Sequence, residues 1–214
     1  AARMVQRDLK CTVAVVAVDP TSPRSGGSIL GDRTRVQFPP GERRLYFRSQ
    51  ASDRELGGIG RATYPVVRVL ERLFDVVFVE TVGIGQSEIE IEHIADRVYL
   101  VVQPMAGDQV QFMKAGIMEV PHAFILNKYD LGHGARRSYY ALNASLDFVR
   151  PGEAAPPPIF RTSAVTGEGI DDVLADIDAH RDGHDGAAAR DREAYFLRKW
   201  VRDEYGRIGL ERLD

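Results

Sequence analysis

Cysteine is almost missing from this chain: Cys11 is the only one among 214 residues. No intrachain disulfide can form, which excludes a disulfide-stapled secreted scaffold and suits a reducing cytoplasm. Cys11 stands where a strand begins and reads as a small buried hydrophobe rather than a nucleophile. Histidine is sparse as well. His93, His122, His133, His180 and His184 are scattered; only the last two share a helical spacing, a Gly intervenes, and no third ligand is near, so no zinc or nickel ligand set is visible. No apolar run approaches the ~18 residues a membrane span needs, and no signal-peptide pattern opens the chain. Neither sign of charge dominates: 28 basic against 31 acidic residues leave a net −3, which gives no electrostatic case for nucleic acid or an anionic membrane. Also absent is any G-x-x-x-x-G-K-[S/T] phosphate loop. The GGIG at Gly57–Gly60 is not a dinucleotide fingerprint, because its spacing is wrong and no strand of proper length leads into it.

What is present is the composition of an ordinary soluble domain, 44% apolar and 28% charged, long enough to bury one substantial core. Apolar runs alternate with helical patterns. Strands are predicted at Thr12–Val18, Leu45–Arg48, Phe74–Glu80, Arg97–Val102, Ala123–Leu126 and Ile159–Thr162. Helices are predicted at Arg61–Leu73, with Val66, Val67, Leu70 and Leu73 on one face, at Arg136–Leu146, and at Ile170–His180. Ser87 can cap a short helix through Ile94, whose Glu88, Glu90 and Glu92 read as a solvated face. Ala188–Leu213 reads as one long helix with an apolar stripe of Phe196, Leu197, Trp200, Val201 and Tyr205. Ala1–Lys10 looks like the tail of a helix, so a missing upstream segment is expected. The alternation implies an α/β fold, a mostly parallel sheet with helices on both faces.

In such folds ligands bind beyond the carboxyl ends of the strands. Asp19, Glu80, the Gln103 loop, Asn127–Asp130 and Ser163 all fall there and are expected to share one rim. Glu80 ends a buried run and leads into a Gly loop, Thr81–Gly85, as an acid on the magnesium side of a phosphate would. The Gly-, Ser- and Thr-rich stretch Thr21–Arg35, with Asp32 inside it, suits wrapping of a phosphate by backbone N–H groups and of a hard cation by carboxylates. The sharpest signal is Asn127-Lys128-Tyr129-Asp130 after a buried strand, with Ser163-Ala164 after the next. Asp130 can accept both guanine N1–H and the 2-amino group, donors that adenine lacks in that arrangement. Asn127 can bond the purine edge or brace the loop, the Lys128 stem can lie over the ring, and the Ala164 N–H can meet the guanine oxygen.

These stretches resemble the MeaB/MMAA/ArgK family of P-loop GTPases, the G-protein chaperones of cobalamin-dependent acyl-CoA mutases such as methylmalonyl-CoA mutase. The carrying residues are AVDPTSPRSGGSILGDRTR at Ala17–Arg35, VETVGIGQSE at Val79–Glu88, AGDQVQFMKAGIMEV at Ala106–Val120, NKYD, and TSAVTGEGID at Thr162–Asp171. Together they span nearly all of residues 12–177. The resemblance implies GTP or GDP with Mg²⁺ as cofactors. It implies Asp19, Asp32 and Glu80 near the metal, with Asp32 and Glu80 on the catalytic side, and Asn127, Lys128, Asp130, Ser163, Ala164 and Val165 around the nucleotide. Gln103–Lys114 corresponds to a third switch loop toward the mutase, and the helix around Trp200 to the start of a dimerisation arm in a cytoplasmic homodimer.

Residues 1–180 would thus be a GTPase core lacking its first strand and phosphate loop, and 187–214 the start of the arm. Without the phosphate loop the triphosphate loses its N–H cradle, its Lys and a hydroxyl ligand of Mg²⁺, so this chain alone is expected to bind GTP poorly and hydrolyse it negligibly. Tyr129 replaces the small residue usual in that slot. Two alternatives stand beside this reading: a truncated, non-hydrolysing interaction module, and a nickel-delivery GTPase of related architecture. A kinase role finds no matching catalytic loop.

Overall fold

The β-branched run from Val13 forms the middle strand of a parallel ladder, as its lack of alternation requires. The structure, a computed structural model, describes residues 1–7, 10–19, 41–51, 59, 62–81, 88–104, 118–149, 152, 155–181 and 186–213. These fall into two compact units, Ala1–Ala95 with His184–Asp214, and Asp96–Gly183.

In the first unit β1 (Val13–Asp19) lies between β2 (Leu45–Ala51) and β3 (Val76–Glu80). Val13 pairs with Leu45 and Val76, and Ala17 with Ser49 and Glu80. Val13, Ala14 and Val16 are wholly buried, and Cys11 is buried as expected. The mouth of the ladder is stapled: the Asp75 carboxylate accepts from the Thr12 N–H and hydroxyl, each at 2.7 Å, and the Asp75 N–H returns a bond to the hydroxyl at 3.1 Å. β2 runs on beyond Arg48. Polar Gln50 is tolerated inside because its amide donates to the buried Thr63 hydroxyl at 3.1 Å. Helix α1 (Ala2–Arg7) buries Met4 and Val5, and the Arg44 guanidinium donates to the Val5 carbonyl at 2.9 Å. Helix α2 (Thr63–Leu70) sets Val67 and Leu70 against Ala14, Val16 and Val18. Leu73, expected on that face, lies past the helix end and is exposed.

The C-terminal helix, Gly186–Leu213, packs on this same unit. Phe196 stacks on Tyr64 at 3.9 Å, and Tyr195 on His93 at 3.7 Å. Lys199 Nζ reaches both carboxylate oxygens of Glu90 at 2.7 Å, and Arg68 pairs with Glu193. Glu90 is therefore a half-buried ion-pair partner rather than part of a solvated face; its turn, Glu88–His93, is a 3₁₀ helix. The expected unbroken helix is interrupted at Gly206, whose φ of 62° and ψ of −153° suit only glycine. The apolar stripe divides: Phe196 and Val201 turn inward, while Leu197, Trp200 and Tyr205 are exposed. Among the described residues no helix is long and apolar enough to cross a membrane.

The second unit holds β4 (Tyr99–Val102), β5 (Ala123–Leu126) and β6 (Ile159–Arg161), parallel and in that order. The expected parallel strands thus form two three-stranded ladders, one per unit. Helix α3 (His133–Val149) contributes Leu142 and Leu146 to a core with Val102, Met118, Phe124 and Leu126. It exceeds the predicted Arg136–Leu146 at both ends because buried Ala135 and core-packed Val149 extend its inner face. Helix α4 (Ile170–His180) buries Val173 and Leu174 and carries Asp176 to Arg97. That pair is bidentate, with Arg97 Nε and Nη2 at 2.7 and 2.9 Å from the two carboxylate oxygens, and the Tyr99 hydroxyl donates to the same group.

Burial alone would raise the Asp176 pKa. Hydrogen bonds from Tyr99 and Arg97, with the Arg97 charge, overcome it and hold the carboxyl below its usual range. Its contribution is therefore complete above the unfolded carboxylate value of about 3.9 and is lost as pH falls through the lowered folded value. Asp176→Asn is expected to cost about 2 kcal/mol at pH 7. It should also flatten the acid limb of stability against pH, measured by urea unfolding between pH 3 and 7.

Candidate functional site

Strands β5 and β6 pair in parallel, Leu126 opposite Arg161, so their exits emerge side by side. Hydrogen bonds cross between them, the Thr162 hydroxyl to Asn127 Oδ1 at 3.4 Å among them. Thr162 N–H donates to the Leu126 carbonyl at 2.9 Å, Tyr129 N–H to the Thr162 carbonyl at 2.9 Å, and Ala164 N–H to Asn127 Oδ1 at 3.1 Å. Of the two roles open to Asn127, the structure shows bracing: its amide oxygen ties the NKYD loop to the SA loop. A ligand oxygen drawn to the Ala164 N–H would share or replace that bond. Between the crossings Lys128 adopts φ 60° and ψ 36°, and is the one non-glycine residue with positive φ among those described. That conformation costs about 1–2 kcal/mol for an L-residue, and its persistence shows how firmly the flanks are held. The turn continues as a 3₁₀ helix, Tyr129–Leu131, on which Asp130 is exposed. Among the described residues no hydrogen bond or ion pair takes the Asp130 carboxylate, which leaves it open to paired N–H donors.

The SA loop is folded on itself. Buried Ser163 donates its N–H to the Glu168 carbonyl at 3.0 Å, and its hydroxyl accepts from the Thr166 N–H at 3.1 Å. Gly167 N–H closes onto the Ser163 carbonyl at 2.8 Å. Ser163 thus shapes the loop from inside, while Ala164 and Val165 form its exposed outer edge. Gly169, with φ 68°, lies so close to β6 that a Cβ would fall 1.9 Å from the Arg161 carbonyl oxygen. Sequence reading passed over Arg161 itself. Its guanidinium lies 5.5 Å from the Tyr129 ring centre and 5.4 Å from that of Tyr139, a grouping that no local pattern signals.

In the first unit, Ala17 pairs with Glu80 and Asp19 with Ala51, so the backbones of Asp19 and Glu80 end neighbouring strands at the carboxyl edge. Glu80 is exposed there. Oxygen donors at such an edge suit a hard cation. Asp32, the loop after Thr81 as far as Ser87, and residues 105–114 of the expected third switch lie outside the described residues. Among the described residues no group of three or more His, Cys, Asp or Glu could hold a metal ion.

Parallel ladders with helical crossovers make this an α/β protein. In line with this, the crystal structure of HypB from Helicobacter pylori in complex with nickel superposes with a TM-score of 0.56 at 13% identity, covering 83% of this chain and 78% of that one. HypB of Archaeoglobus fulgidus does so at 0.55 and 15%, covering 84% and 81%. At such identity the likeness concerns the fold alone. The family model described as Methylmalonyl Co-A mutase-associated GTPase MeaB matches residues 2–207, and the chain belongs to that family.

Relatives include a provisionally named GTPase of Pyrococcus horikoshii, 42% identical over 79% of this chain and 54% of its own length. A probable GTPase of Mycobacterium tuberculosis is 38% identical over 89% of this chain and 60% of its own. The mitochondrial methylmalonic aciduria type A homolog of Caenorhabditis elegans is 34% identical over 88% and 49%. The chain therefore spans about half the length of the curated relatives it matches.

Gly169→Ala combines a left-handed φ with a backbone clash and is expected to cost on the order of 3 kcal/mol or more. Gly152, at φ 85° with nothing among the described residues within 4 Å of a Cβ, isolates the dihedral effect, so Gly152→Ala should cost about 1 kcal/mol. Urea midpoints of the two variants measure the difference.

Proposed function

We propose that this chain is the base-selecting and switch-bearing part of a GTP-binding, GTP-hydrolysing chaperone that gates cobalamin loading onto, and protection of, an acyl-CoA mutase of the methylmalonyl-CoA type. The observation that carries the reading is the Asn127–Ala164 bond, which joins the two loops while the Asp130 carboxylate stays open. Family membership supports the GTPase class and the association with a mutase.

In this reading Asp130 accepts guanine N1–H and the 2-amino group, the Lys128 stem covers the ring, and Ser163, Ala164 and Val165 frame the base. Asp19, Asp32 and Glu80 are the candidate holders of Mg²⁺, which when bound would neutralise charge developing on the phosphates. The exposed position of Glu80 at the strand end fits that donor role. Gln103–Lys114 is assigned to transmitting nucleotide state toward the mutase, and the C-terminal helix to homodimer formation. Hydrolysis would rest on positioning and charge rather than a covalent intermediate. A nickel-delivery role has only the fold likeness in its favour.

Asp130→Asn tests the base assignment. An amide can accept one guanine N–H but faces the 2-amino group with the wrong polarity, whereas xanthine carries a carbonyl there. GDP affinity should fall about ten-fold or more, and preference should move toward xanthosine diphosphate in competition binding. Coupling is tested on the chain joined to a phosphate-loop segment: its GTP turnover should change when a cobalamin-dependent acyl-CoA mutase is added, and turnover indifferent to every such mutase removes the chaperone assignment.

A further inference from the structure

We infer that Arg161 is a positioning residue for base selection: held between the rings of Tyr129 and Tyr139, it presses the Lys128–Asp130 turn against α3 and so presets the Asp130 carboxylate. The inference rests on the guanine reading of Asp130.

The backbone of Arg161 is anchored on both sides. Its strand pairs it with Leu126, and its carbonyl faces Gly169 at a distance that leaves no room for a side chain. From that anchor the guanidinium reaches two aromatic rings on two other elements, at 5.5 Å from Tyr129 in the NKYD turn and 5.4 Å from Tyr139 on α3. Both tyrosines also pack against the core cluster of the second unit, so the rings cannot simply swing away. Tyr129 immediately precedes Asp130 and follows Lys128, whose left-handed backbone favours relaxation of the turn. The Tyr129 N–H bond to Thr162 restrains the main chain at one point. The cation between the rings restrains the side chain at a second, and two fixed points define the direction in which the next residue projects. A small residue at position 129 would give the guanidinium nothing to grip, so the large Tyr129 acts here as a handle.

A packing contact of no functional weight would alter stability but not base discrimination. The discriminating readout is the preference for GDP over inosine diphosphate, which lacks the 2-amino group and so reports whether Asp130 makes both bonds. Ligand-observed NMR titration of the chain with each nucleotide suits weak binding. Arg161→Ala should shrink the GDP preference about five-fold, while Arg161→Lys, which keeps a cation over the rings, should retain most of it. Tyr139→Leu should reproduce the loss with Arg161 in place, and Tyr139→Phe should not. An undiminished preference in both Arg161→Ala and Tyr139→Leu overturns the inference. If the unaltered chain shows no preference, or Asp130→Asn leaves it unchanged, the base reading itself fails and the role of Arg161 falls with it. Loss in Asp130→Asn without loss in Arg161→Ala overturns the positioning role alone.

Discussion

The second unit depends on one constraint, the parallel pairing of β5 with β6 carried past the ends of the strands by side-chain and turn hydrogen bonds. Asn127 Oδ1 and the Thr162 carbonyl receive N–H groups from the opposite exit, at 3.1 and 2.9 Å. Each such bond contributes only about 1 kcal/mol net, but leaving the buried Thr162 carbonyl unmet would cost about 1–3 kcal/mol. The two loops are therefore set together or not at all. Lys128 is forced into a left-handed conformation because both of its flanks are tied, and Asp130 is carried to the exposed side of the turn as a result. Ser163, spent on internal bonds, keeps the facing loop in one shape.

The two units use the same strand logic but different locks. In the first, Thr12 and Asp75 close the start of the ladder, and the C-terminal helix is fastened through aromatic stacking at His93 and Tyr64 and an ion pair at Glu90. The His93 and Glu90 contacts tie the helix to the turn that follows the Glu80 loop, and the Tyr64 stack ties it to α2. In the second, Arg97, Tyr99 and Asp176 join the first strand to the last helix. Burial and the bond to Asp176 also push the Tyr99 hydroxyl above its usual range.

The likeness to a nickel-bound HypB and the membership of the MeaB family separate scaffold from use. One parallel α/β framework serves both, and what differs must lie in loops and attachments. This chain has five histidines and a lone, buried cysteine.

The strands and the NKYD and SA motifs were legible in the amino-acid order because they are local. An unbroken apolar run, a polar tetrapeptide and a Gly turn each state their conformation within a few residues. The same locality explains the correct bounds of Ala123–Leu126 and Ile170–His180. What depended on distant partners was not legible. Glu90 looked solvated until Lys199 met it, the C-terminal helix looked unbroken until Gly206 interrupted it, and the Asn127 oxygen had no assigned partner until Ala164 donated to it. Arg161 carried no local signal, because a cation between two rings exists only once a strand, a turn and a helix have been packed together. Short-range torsional preference and hydrophobic pattern thus determined the elements. Long-range pairing, which no run of neighbouring residues encodes, decided which side chains brace the site and which remain open to a ligand.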